Sequence, residues 1–64
     1  MTTASDIEYD ISMLRASIEN TKSDLNDYRR TKDHELIDEA RLEIEMMNDE
    51  MADLKAELVS LRSA

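Results

Sequence analysis

Two stretches of this 64-residue chain carry apolar side chains at alternating steps of three and four residues. The first runs Ile7, Ile11, Leu14, Ile18, Thr21, Leu25 and Tyr28, with a threonine interrupting it. The second runs Ile37, Ala40, Ile44, Met47, Met51, Leu54, Leu58 and Leu61. Such spacing is the heptad seam of paired helices, in which positions a and d face a partner. With Ile11 and Ile37 as a positions, all these residues fall at a or d. No period-two alternation is sustained, so strands are excluded and the fold class is all-α.

The two runs are out of phase. Continuing the first register places Lys32 and Glu35 in the seam and its next a at Glu39, whereas the second register starts at Ile37. A mismatch of two residues is roughly 200° around a helix. The break lies in "RRTKDHEL", residues 29–36. Either one long helix carries a local disruption there, or the chain turns. Arg29 and Arg30 suit a helix C-terminus, and Asp33 and Glu35 a helix N-terminus, on dipole grounds. Thr31 or Asp33 can cap the second helix. Against a turn, the segment offers no Gly or Asn for a left-handed cap.

The flanking charges favour the long helix. Position e holds Glu8, Arg15, Lys22 and Arg29 in the first register, then Arg41, Asn48, Lys55 and Arg62 in the second. Position g holds Asp10, Ser17, Asp24 and Thr31, then Leu36, Glu43, Glu50 and Glu57. Six of the eight Lys and Arg residues thus occupy e. Parallel helices set each g beside the partner's next e, which pairs Asp10 with Arg15, Asp24 with Arg29, Glu50 with Lys55 and Glu57 with Arg62. All four pairs are of opposite sign. An antiparallel arrangement sets e against e and g against g, so like charges meet. Each exposed pair contributes only ~0–1 kcal/mol, but all change sign together, so they select an orientation. The expected architecture is a long helix forming a parallel dimeric coiled coil with a discontinuity near residues 29–36. The alternative is a helical hairpin dimerising into a four-helix bundle. Ile at a with Leu at d favours two strands, although a higher oligomer is open. A continuous rod over residues 5–62 would be about 85 Å long.

The expected organisation follows. Residues 1–4 fray, 5–28 form a first segment, 29–36 the break, 37–62 a second, acidic segment, and 63–64 fray. Ser5 and Glu8 fit the capping box that starts the helix, with Thr3 and Asp6 a weaker alternative. Thr21, at a d position, is expected to hydrogen-bond back to its own helix.

The chain contains no Gly, Pro or Cys, and two Tyr are its aromatics. No disulfide framework or cysteine metal site is available. No apolar run approaches the ~20 residues that span a bilayer, and "MTTASDIEYD" lacks a signal-peptide core. A soluble intracellular protein, cytoplasmic and without membrane contact, is the expectation. The net charge of −8 opposes direct nucleic-acid binding. Residues 1–32 carry net −1 and residues 33–64 net −7.

No catalytic, cofactor-binding or metal-ligating set emerges. His34 and Asp38 are an i, i+4 pair, but no third ligand accompanies them. The carboxylates lie on solvated helix faces without a pocket to shift their pKa values. The chain reads as no enzyme and needs no cofactor. Its expected function is oligomerisation or scaffolding through protein–protein contact, with itself and a further, basic protein as partners. The alternative is a small acidic inhibitor that binds a basic or nucleic-acid-handling protein through the C-terminal helix, its carboxylates imitating phosphates. Leu42, Glu45, Met46, Asp49, Asp53 and Val59, outside the seam, form the candidate partner surface.

Overall fold

The computed structural model describes residues 3–63; Met1, Thr2 and Ala64 lie outside the described residues. The described residues form two helices and no strand: α1 (Ala4–Thr31) and α2 (His34–Ser63). Lys32 and Asp33 join them. Arg62, in the last turn of α2, donates to the Glu8 carboxylate in the first turns of α1. The helices therefore run antiparallel, side by side, in a hairpin 49 Å long. This corrects the expectation of one long helix in a parallel pair. The register break is a turn, and the hairpin is about half the length of the continuous rod.

The turn works without glycine. Lys32 itself adopts the left-handed conformation, with φ 58° and ψ 34°. Its N–H donates to the Arg29 carbonyl at 3.3 Å, and the Asp33 N–H donates to the Tyr28 carbonyl at 3.1 Å. These two bonds make a Schellman closure, which satisfies carbonyls that the end of a helix leaves unpaired. A residue with a Cβ forgoes roughly 1–2 kcal/mol in this conformation. The return comes at once, because Asp33 starts the next helix. Its Oδ1 accepts from the Leu36 N–H at 3.3 Å, and its carbonyl accepts from the Ile37 N–H at 3.0 Å. Of the two cap candidates, Asp33 caps α2, while the Thr31 hydroxyl donates back to the Tyr28 carbonyl. Arg29 and Arg30 close α1 and Glu35 opens α2, each favourable toward its helix dipole.

The N-cap of α1 lies two residues earlier than expected from the sequence, at Thr3 rather than Ser5. Thr3 and Asp6 form the capping box: Thr3 Oγ1 accepts from the Asp6 N–H, and Asp6 Oδ2 accepts from the Thr3 N–H. Ser5 and Glu8 do not. Once Thr3 caps the helix, Ser5 lies inside it and Glu8 is free to reach Arg62. The fraying expected of residues 1–4 and 63–64 falls partly outside the described residues. Within them, Ala4 is already helical and Ser63 still is.

The seam lies between the two helices. Ile7, Ile11, Ile18 and Leu25 of α1 are buried. Leu14, Thr21 and Tyr28, its other seam residues, are half-buried. Thr21 donates its hydroxyl to the Ser17 carbonyl at 3.0 Å, so its polar atom is satisfied on its own helix. On α2, Ala40 is 3% exposed, while Ile37, Ile44, Met47, Met51, Leu54 and Leu58 are half-buried. Leu61 is exposed. The alanine admits close approach near the turn, where it lines the same hollow as Tyr28.

Two measurements check this architecture. Lys32→Gly removes the Cβ from the left-handed position and is expected to stabilise by about 1 kcal/mol. For a domain this size that raises Tm by roughly 4–8 °C. An unchanged or lowered Tm in thermal circular dichroism would contradict the turn. Cysteines at Glu8 and Arg62, in a chain with none of its own, should crosslink within one molecule through a short bismaleimide. In a continuous helix the two sites, 54 residues apart, would stand about 80 Å from each other, and crosslinks would form only between chains.

Candidate functional site

Antiparallel packing gives the hairpin two grooves, one on either side of its seam. In each helix, position e flanks a and position g flanks d, so one groove is bordered by e residues and the other by g residues. The contact between Glu8 and Arg62 fixes the register of the e groove. One heptad inward, Arg15 lies across from Lys55. Lys22 then lies across from Asn48, and Arg29 from Arg41. The row is cationic except at Asn48 and at its open end, where Glu8 answers Arg62. Lys22 is also 3.7 Å from Glu19 on its own helix.

The opposite groove is acidic. Asp24, Glu39 and Glu43 line a hollow with Thr21, Tyr28 and Ala40. Further along, Glu43 and Glu50 border Met46 and Met47. Asp10, Ser17 and Glu50 then border Met13, Leu14 and Leu54. The groove ends with Glu50, Asp53 and Glu57 around Leu54. Its floor is the half-buried d row, Leu14, Thr21, Met47 and Leu54, and its rims are carboxylates. The cationic groove has the half-buried a row of α2 beside it: Ile44, Met51 and Leu58.

The residues singled out from the sequence are therefore sorted as follows. The seam residues meet across the hairpin, with Leu61 left exposed at its open end. The eight residues expected to pair between parallel helices separate by sign: Asp10, Asp24, Glu50 and Glu57 border one groove, and Arg15, Arg29, Lys55 and Arg62 the other. Within one chain they do not pair with each other, because the turn reverses the direction that g-to-e pairing needs. The candidate partner surface, Leu42, Glu45, Met46, Asp49, Asp53 and Val59, is exposed throughout. Met46 and Asp53 belong to the acidic groove, and the other four lie farther round α2. His34 opens α2 and, like Asp38, is exposed. Among the described residues, no three His, Asp or Glu side chains are grouped to hold a metal. None of the described helices is long and apolar enough to cross a membrane.

Sequence reasoning missed two features. Tyr9 and Met13 are exposed large side chains on α1, outside the candidate surface that the sequence places on α2. The second is the segregation of charge onto two faces. Its signal was present, since the antiparallel case puts e beside e and g beside g, but the sequence reading rejected that case.

The chain matches no family model, and neither a curated protein nor a solved structure is detectably similar to it.

The register of the e groove can be checked by one substitution. Arg15→Glu places an acid opposite Lys55 and is expected to stabilise a dilute hairpin by a few tenths of a kcal/mol, up to about 1. The gain in Tm should be present at 20 mM salt and absent at 0.5 M, where exposed charges are screened. In the parallel pairing the same change would confront Asp10 and lower Tm, so the sign of the shift separates the two arrangements.

Proposed function

We propose that this chain is a non-enzymatic oligomerisation module, in which hairpins associate through protein–protein contact and complete a shared four-helix core. The observation that carries this reading is the half-covered seam of α2. Among its described residues Ala40 alone is buried, whereas α1 buries four isoleucine and leucine side chains. A single helix does not cover the wider stripe that Met47, Met51, Leu54 and Leu58 present. The chain exposes 5018 Å², against about 4,200 Å² for a compact folded chain of 7.4 kDa. The excess, roughly 800 Å², is comparable with what one partner contributes to a standard interface. Chains this short commonly use oligomerisation to supply the core they lack.

The second reading, a small acidic inhibitor, draws support from the acidic groove. Glu39, Glu43, Met46, Glu50, Asp53 and Glu57 of α2 border it, and a basic partner, including one that handles nucleic acid, would find charge complementarity there. Complexes of that kind are released by salt.

Sedimentation equilibrium decides whether hairpins associate. Twice the 7.4 kDa chain mass or more is expected at tens of micromolar in 50 mM salt. Leu54→Asp should reduce this to the chain mass by placing a charge on the groove floor. A wild-type chain that stays monomeric at hundreds of micromolar would overturn the oligomerisation reading.

A further inference from the structure

We infer that hairpins associate face to opposite face, with the acidic groove of one copy seated on the cationic groove of the next. This inference rests on the oligomerisation reading and specifies its geometry. Two grooves of the same kind meet unfavourably. Acidic on acidic would bring Asp10, Asp24, Glu43, Glu50 and Glu57 against their own copies, and cationic on cationic would do the same for Arg15, Arg29, Arg41 and Lys55. Like-charge contacts across an interface suppress that pairing. The mixed contact has the needed complementarity on both counts. The acidic side offers an apolar floor of Leu14, Met47 and Leu54 between carboxylates. The cationic side offers the half-buried row Ile44, Met51 and Leu58 between Arg and Lys.

The rows also agree in length. Both follow the same heptads along a hairpin 49 Å long, so the two rows run side by side over its length. The second copy is the occupant the chain itself supplies. Six of its eight cations lie at e positions and border one groove, opposite the acids. Folding one hairpin uses Arg62 of these, against Glu8; Arg15 and Lys55, like Arg29 and Arg41, face like charges within the hairpin. Contact between copies turns the same rows into opposite-sign neighbours.

A contact between unlike faces is heterologous. Each added copy leaves one acidic and one cationic face free, so growth is open-ended unless the stacking angle closes a ring. The average mass should rise continuously with concentration beyond the dimer, and fall as salt rises from 50 to 500 mM.

Two neutralised variants test the geometry. The first carries Glu43→Gln, Glu50→Gln and Glu57→Gln; the second carries Arg15→Gln, Arg41→Gln and Lys55→Gln. Both relieve like-charge neighbours within the hairpin, so both are expected to fold, which far-ultraviolet circular dichroism checks. Alone, each should associate at least tenfold more weakly than wild type in 50 mM salt. Mixed in equal amounts they should form a 1:1 complex, because the first retains the cationic face and the second the acidic one. Variants that associate as tightly as wild type would overturn the charged-face contact while leaving oligomerisation intact. Two weakened variants that do not restore each other would also overturn it, and variants that associate more tightly than wild type would point to contacts between like faces. A monomeric wild type would overturn oligomerisation and this inference together.

Discussion

The left-handed backbone at Lys32 is the constraint on which the rest of the hairpin depends. It lets the Lys32 and Asp33 amides close the carbonyls of α1, and it hands the chain to Asp33, which caps α2 within one residue. A turn this short sets the two helices side by side in opposite directions. The phase shift between the two heptad runs then has a purpose. Carried straight on, the first register would bring Lys32 and Glu35 into the seam. Resetting at Ile37 lets the second stripe face the first across the turn.

Hydrophobic burial and electrostatics disagree in this molecule, and burial prevails on magnitude. Fully burying an isoleucine or leucine side chain contributes about 1.5–3 kcal/mol, and Ile7, Ile11, Ile18 and Leu25 are all buried in the hairpin. Each exposed charge contact amounts to ~0–1 kcal/mol. The like-charge rows Arg15–Lys55 and Asp24–Glu43 are therefore tolerated at the surface. Connectivity acts in the same direction as burial. Folding α2 back on α1 closes a loop of two residues, whereas pairing with another chain first costs an estimated 4–15 kcal/mol in lost freedom of motion. Orientation preferences built from exposed ion pairs are too small to offset that difference.

The consequence is a small rod with unlike sides. One groove is methionine-rich and rimmed by carboxylates, while the other is rimmed by Arg and Lys. Both have apolar side chains at their base that a single hairpin leaves partly uncovered. Methionine side chains such as Met46 and Met47 adapt to irregular partners, and the charges beside them bias which surface can approach. A chain without Gly, Pro or Cys thus acquires two unlike faces from heptad phase and charge placement.

The sequence by itself determined the helices, the seam and the place where the two runs part. Ile7 through Tyr28 and Ile37 through Leu58 lie at the seam because a 3.5-residue repeat leaves one stripe to bury. The cap at Asp33 and the back-bonding hydroxyl of Thr21 were legible for a similar reason, since both act within one helical turn. The tertiary structure decided what the stripe meets. A heptad repeat encodes a face and carries no direction, so a parallel partner and a folded-back segment satisfy it equally. The missing glycine argued against a turn, yet the two capping bonds and the immediate start of α2 make a left-handed lysine acceptable there. The charge rows were readable as rows, but whether they border one groove or two depended on that turn, because reversing α2 exchanges every g-to-e neighbour for g beside g and e beside e.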